Sequence, residues 1–384
     1  MLLIGATGVA IFIAVITIVT FKFLSSYVHK WIQMKPIPGL SPTYPIFGNA
    51  LHFKADGGET AMGKNIYAQS NSDSEYVKAV YRMSDIIHRR QKMPWFWSDL
   101  VYYVFGEGRK HNRNLKILHS FTESVIAERA RNMANPERDS LRSDSDTDHT
   151  VKKKRKAFLD MLLNATDEQG NCLSQENIRE EVDTFMFEGH DTTAAAMNWA
   201  IHLLGSHPEE QRKVHKELDE VFGTSDRPVS MEDLKRLRYL ECVIKESLRL
   251  FPSVPFFGRT FCEDCNINGF KVPKGANAII IPYALHRDPR HFPDPEEFRP
   301  ERFLPENSSK RHPFAFVPFS AGLRNCIGQR FALMEEKVIL SKILRHFQVE
   351  AKQQRDELRL VGELILRPES GILIQLTKRT QKLM

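Results

Sequence analysis

A chain of 384 residues with 42% hydrophobic and 27% charged residues can bury a deep core, which excludes general disorder. Its net charge of +6, spread over 54 basic and 48 acidic residues, is too mild for nucleic acid, where a basic stripe with aromatic interleaving is expected. It fits work beside an anionic membrane face or an acidic protein partner, and five scattered cysteines suit a reducing compartment better than a disulfide framework.

From Leu2 to Phe21 the chain carries no charge, and this run is about the length needed to cross a bilayer. Lys22, His29, Lys30 and Lys35 follow it, which favours a cytoplasmic C-terminal bulk. A cleaved signal peptide would want a charged start, which is missing, so residues 1–24 read as a single-pass membrane anchor. Residues 25–59 form a proline-rich connector (Pro36, Pro38, Pro42, Pro45) and the start of the following domain.

Apolar residues at helical spacing predict amphipathic helices from Ser74 to about Arg90 and from Leu115 to Arg129. The polar stretch that ends in the basic run Lys152 to Lys156 reads as a solvated loop rather than a localisation signal. Ser174 is placed to cap a helix running to about Gly205, roughly 45 Å long. Further helices are predicted over Pro208–Phe222 and Leu234–Phe251, the latter stopped by Pro252. Short β pieces then appear in NINGFKVPKGANAIIIP, a last helix follows Gly328, and GILIQLTK alternates like a strand. The CxxC pair Cys262 and Cys265 has no second pair at zinc spacing and reads as two free thiols. The class is mainly α with a small β portion.

The segment Phe319-Ser-Ala-Gly322-Leu-Arg324-Asn-Cys326-Ile-Gly328 carries the most specific chemistry. A thiolate that ligates iron needs a glycine-rich backbone that aims amide donors at sulfur, and a helix start beside it adds positive potential. This spacing resembles the haem loop of the cytochromes P-450. Three further segments share the resemblance. Glu246-Ser-Leu-Arg249 is similar to the family's ExxR pair, whose i and i+3 positions meet on a helix face. Phe298-Arg-Pro300-Glu301-Arg302-Phe303 is similar to the family segment that gives a third charged member, Arg302, of a buried ion network, which implies a structural role. Glu188-Gly189-His190-Asp191-Thr192-Thr193 puts poor helix formers mid-helix, and threonine hydroxyls that bond back one turn would loosen the ladder there and open a pocket.

What the resemblance implies is a cytochrome P-450 fold preceded by one transmembrane helix, with residues 60–384 as the monooxygenase domain. FMFEGHDTT is similar to family 4, and the wider sequence most resembles its 4V branch. Cys326 would be the axial ligand of haem b, and Glu188 would form an ester with a haem methyl. Asp191 and Thr192 would relay protons, and Arg259 and Arg324 would hold the haem propionates. The activity implied is hydroxylation of fatty acids at or near the omega carbon, in the endoplasmic reticulum membrane. Electrons would come from NADPH through a reductase, with cytochrome b5 as a further partner. Against the family pattern, a large block of the early fold is missing between Glu59 and Thr60. None of Trp31, Trp95, Trp97 and Trp199 has an arginine four residues on, so one side of the haem cradle is absent. The contrasting expectation is a membrane-tethered truncated product without catalysis that binds haem poorly.

Overall fold

Polar caps and prolines punctuate this chain, and most helices begin where they stand. The computed structural model describes residues 75–134, 158–166, 169–362 and 364–379. The anchor, the connector, the join at Glu59–Thr60 and the polar loop up to Lys156 lie outside the described residues. Among the described residues no helix is long and apolar enough to cross a membrane.

The first helices are α1 (Glu75–Lys92), α2 (Asp99–Val104), α3 (Glu107–Ala134) and α4 (Phe158–Leu163). The long helix α5 (Gln175–Ser206) begins where Ser174 accepts a hydrogen bond from the Asn177 amide at 3.1 Å. Pro208 opens α6 (Pro208–Phe222). The stretch expected as one helix from Leu234 is two, α7 (Met231–Arg236) and α8 (Arg238–Leu250). Ser230 and Asp233 close a capping box on α7. Glu217 of α6 then accepts from the amides of Tyr239 and Leu240 at 2.6 and 2.9 Å, so a side chain from another helix starts α8.

Residues Phe256–Pro282 belong to a different compact unit from the other described residues. In it β1 (Phe257–Thr260) pairs antiparallel with β4 (Asn277–Ile280), and β2 (Cys265–Ile267) pairs with β3 (Phe270–Val272). Asn268 and Gly269, both at positive φ, form the turn of the second hairpin. Cys262 and Cys265 form no disulfide.

The larger unit continues through α9 (Pro282–Leu285), which straddles its boundary, α10 (Pro305–Ser308) and α11 (Gln329–His346). Its strands form two antiparallel pairs, β5 (Phe347–Ala351) with β8 (Ile374–Lys378) and β6 (Leu360–Gly362) with β7 (Leu366–Pro368). The core gathers where α5, α6, α8 and α11 meet, around Trp199, Leu203, Leu240, Ile244 and Leu340. Trp199 stacks on Phe251 with ring centroids 4.1 Å apart and donates to the Leu366 carbonyl at 3.0 Å. Helix α5 also approaches β5 closely. A Cβ at Gly205 would stand 2.6 Å from the Ala351 nitrogen, so only glycine fits. Gln211 stitches the same contact, donating to the Val349 carbonyl and accepting from its amide, both at 2.8 Å.

Candidate functional site

Cys326 is exposed, on a loop shaped by local backbone hydrogen bonds. Its amide donates to the Phe319 carbonyl at 2.9 Å, and the Asn325 amide donates to the Gly322 carbonyl at 3.1 Å. Gly322 sits at φ +79° with open space around a would-be Cβ, so its backbone conformation rather than its size requires glycine. Ser320 holds φ +61° without that freedom, a strained position of the kind that collects at functional sites. Helix α11 starts at Gln329 with no side-chain cap, and a Cβ at Gly328 would lie 3.8 Å from the Cys326 sulfur. The uncapped start of a helix therefore lies close to the thiol.

Leu323, Ile327 and Phe331 flank this loop and are exposed. Apolar side chains grouped around an accessible thiol need a covering group, and a flat apolar macrocycle ligated by sulfur supplies one. The loop fits haem on that ground. Arg324 is also exposed on it.

Behind the loop lies the ion network. Glu246 and Arg249 are fully buried and joined at 2.7 and 2.8 Å, and Arg302 Nε stands 3.3 Å from Glu246 Oε1. Arg249 also donates to the His286 carbonyl at 3.0 Å. The His286 ring accepts from the Val317 amide at 2.9 Å through Nε2. Burial, reinforced by the Arg249 charge, holds His286 down at about 3, so the ring stays neutral and keeps that acceptor. Val317 lies two residues before Phe319, whose carbonyl takes the Cys326 amide. A chain of contacts thus runs from the ion pair to the thiol loop. His286 was not legible as part of it, since nothing in the spacing of one histidine reports a contact 31 residues away.

On α5, Glu188, Asp191, Thr192 and Thr193 sit on successive turns. The Thr192 hydroxyl donates to the Glu188 carbonyl at 3.1 Å and the Thr193 hydroxyl to the Gly189 carbonyl at 3.2 Å. The expected loosening does not follow. Helix α5 stays α-helical without interruption, because each hydroxyl adds a donor to a carbonyl without displacing the amide already there. A second unexpected contact is the Ser253 hydroxyl, which donates to the Thr192 carbonyl at 2.7 Å. Asp191 pairs with Arg367 of β7. Burial raises the Asp191 carboxyl above its ordinary value and the Arg367 charge opposes the rise. Burial likewise raises Glu188, although its side chain reaches solvent.

Arg259 belongs to the Phe256–Pro282 unit, where it is exposed on β1 with its guanidinium 5.1 Å over the Phe257 ring. Among the described residues no hydrogen bond or ion pair joins Cys326 to Glu188, Asp191 or Thr192. They stand on elements linked by the packing of α11 on α5.

This combination of a mainly helical fold, a strained thiol loop and a buried Glu–Arg–Arg network is that of a haem-thiolate protein. A family model described as Cytochrome P450 matches residues 57–376, and the chain belongs to that family, in its family 4. It is 68% identical over 327 residues to Cytochrome P450 4V2 of Mus musculus and 67% identical over 321 residues to Cytochrome P450 4V2 of Homo sapiens. It is 53% identical over 326 residues to Cytochrome P450 4c3 of Drosophila melanogaster. Each match covers 84% of this chain and 61% of the relative, so the chain spans about three-fifths of their length. The crystal structure of the cytochrome P450DA heme domain superposes with a TM-score of 0.64 at 27% identity, over 80% of this chain and 62% of that one. Haem held by a cysteine thiolate belongs to this family.

Proposed function

We propose that the chain is a haem-thiolate monooxygenase, with residues 60–384 as its catalytic domain and Cys326 as the iron ligand. The observation that carries this reading is the exposed Cys326 thiol beside the uncapped start of α11, with Leu323, Ile327 and Phe331 exposed on the same loop and first helical turn. Haem bound through a thiolate supplies O–O bond cleavage. Arg324 and Arg259 would hold its propionates by bidentate contacts, and Glu188 would join it through an ester. With its proton committed to the Glu188 carbonyl, the Thr192 hydroxyl presents lone pairs that can accept from water. Asp191, its carboxyl raised by burial and steadied by Arg367, is suited to pass a proton to that water.

The substrate class we propose is a fatty acid, hydroxylated at or near its omega carbon, with electrons from NADPH through a reductase and with cytochrome b5 as a second donor. The place of work is the endoplasmic reticulum membrane. Two features support a membrane surface: the charge-free run from Leu2 to Phe21, and the apolar residues that α2 and its flanks leave in solvent.

The shorter span relative to family 4 members, read with the block missing between Glu59 and Thr60, favours a second reading. In it the chain is a membrane-tethered truncated product that binds haem poorly. The carbon monoxide difference spectrum of the reduced protein decides between them. A thiolate-type band that Cys326→Ser abolishes supports the enzyme. A haem-free protein, or a band unchanged by Cys326→Ser, overturns it.

A further inference from the structure

A cavity of about 450 Å³ lies between the segment after α9 and α10, and of its lining residues only Arg302 belongs to the ion network described above. That volume is within the range of small-molecule sites and is too small for the surface of a folded partner. Arg290, Arg299, Arg302, Lys310 and Arg311 line it, with Glu301 as the only carboxylate. Glu301 is already engaged by Lys213 and Tyr239. Three of the cations are also answered nearby. Arg290 pairs with Asp288, Arg299 with Asp294 and Glu297, and Arg302 with Glu246. Among the described residues, no ion pair joins Lys310 or Arg311 to a carboxylate, although Glu246 acts on Arg311 at longer range. Two positive charges are therefore left over in one concavity.

Arg311 is held for use. Its guanidinium lies 4.6 Å from the Phe292 ring centroid and 5.0 Å from that of Phe303. One of its N–H groups donates to the Arg302 carbonyl at 2.7 Å. A stacked, planar guanidinium with free donors is preorganised for a multidentate oxyanion. Burial makes its own charge costly; Glu246 offsets part of that cost while the Arg302 and Arg249 charges add to it, and a bound anion would relieve what is left.

We propose that this cavity binds a compact phosphate-bearing anion with at least two negative charges, through Arg311 and Lys310, and that the site is independent of haem. Phosphoryl oxygens match the arginine fork, and two or more of them in one small headgroup match two unanswered cations in one cavity. Such a group can come from a soluble polyphosphate or from a lipid headgroup.

The test uses the full chain. Inorganic tripolyphosphate is titrated calorimetrically, and vesicles of phosphatidylcholine are compared with and without a phosphatidylinositol bisphosphate. Saturable one-to-one tripolyphosphate binding, weakened at least tenfold by Arg311→Gln and by the exposed Lys310→Glu, supports the site with a soluble ligand. A gain in vesicle binding on adding the phosphoinositide, lost in Lys310→Glu, supports it with a lipid headgroup. Lys310→Glu guards against misfolding of the half-buried Arg311→Gln variant. The proposal is overturned if neither probe responds, or if both bind Lys310→Glu as well as the parent. It is also overturned if hexaglutamate saturates the cavity while both phosphate probes fail, since the face would then serve an acidic protein.

Discussion

Arg249 commits every N–H it has, and Glu246 takes two of them, at 2.7 and 2.8 Å with both side chains sealed from solvent. The other three go to the carbonyls of His286, Pro295 and Glu297, at 3.0, 2.7 and 3.0 Å. Five donors thus meet five acceptors, which is the full capacity of a guanidinium.

A lysine cannot replace it. Arg249→Lys keeps the charge but offers only three donors, and since Glu246 Oε1 keeps the Arg299 amide at 2.9 Å, at least one buried acceptor is left unanswered, at a cost of about 1–3 kcal/mol. We expect urea denaturation to show Arg249→Lys destabilised by roughly 1–3 kcal/mol. Glu246→Ala should lose about 3–5 kcal/mol, because it strands a buried guanidinium. A loss below about 1 kcal/mol in Arg249→Lys would mean that the cluster relaxes freely.

Glu336 gives the protein a pH dependence. Its side chain is buried on α11, and Oε2 has no hydrogen-bond partner among the described residues. Burial, helped by Glu335, pushes its carboxyl up to about 8 from 4.5. A carboxyl raised on folding binds its proton more tightly in the native state. Its stability contribution is complete below the unfolded pKa and is lost as pH rises through the folded one. Between about pH 4.5 and 8 this group should erode stability by roughly 1.4 kcal/mol per pH unit at most. Glu336→Gln removes the titration. Denaturation midpoints should then converge at low pH and favour the variant above pH 8. Parallel curves would show that Glu336 is not protonated.

Much of the fold was written locally. The Ser174 cap, the prolines at 208 and 252 and the helix start after Gly328 all act within a few residues, and each stands as expected. Helix α3 extends beyond the Leu115 to Arg129 stretch that its apolar spacing predicts. Its first turns, from Glu107 to Asn114, are polar in sequence yet buried in part. Glu107 is answered by Lys110 and Arg89, and Asn114 by the Lys110 carbonyl, so a polar face is packed rather than solvated. The break at Leu237 was hidden because apolar periodicity continues across it, and the cause, Glu217, lies on another helix. In the candidate site, Cys326 and the Glu188–Thr193 run are singled out by the residues beside them in sequence. The Asp191–Arg367 pair spans 176 residues, and no local pattern encodes it.

Helix α2 should touch lipid. Leu100, Val104 and Phe105 are 74, 65 and 71% exposed, and Trp95 and Trp97 stand beside them in solvent. Amphipathic aromatic rings of this kind favour the headgroup boundary. With residues 1–24 removed, the protein should still bind vesicles, and Leu100→Asp with Phe105→Asp should weaken that residual binding at least tenfold. Each apolar side chain buried in lipid is worth about 1.5–3 kcal/mol. Sedimentation with vesicles measures it, and equal binding by the double variant would remove α2 from the membrane contact.

The Thr192 hydroxyl offers a test in which stability and chemistry move in opposite directions. It sits mid-helix on α5, donates to the Glu188 carbonyl at 3.1 Å, and belongs to a residue whose own carbonyl is held by Ser253. A mid-helix threonine is a poorer helix former than alanine by roughly half a kcal/mol. Thr192→Ala should therefore leave stability unchanged or slightly higher. If Thr192 and Asp191 carry the proton relay, the same substitution should lower the product formed per NADPH consumed, because the water that delivers the proton loses its acceptor. The measurement is made in a protein restored to the length of its family 4 relatives, with NADPH oxidation and hydroxylated product counted together. We expect coupling to fall several-fold while NADPH consumption persists. Serine at 192 should recover it, since serine keeps the hydroxyl and loses only the methyl group. Equal coupling in Thr192→Ala and the parent would take the hydroxyl out of the reaction and leave Thr192 a structural residue of α5.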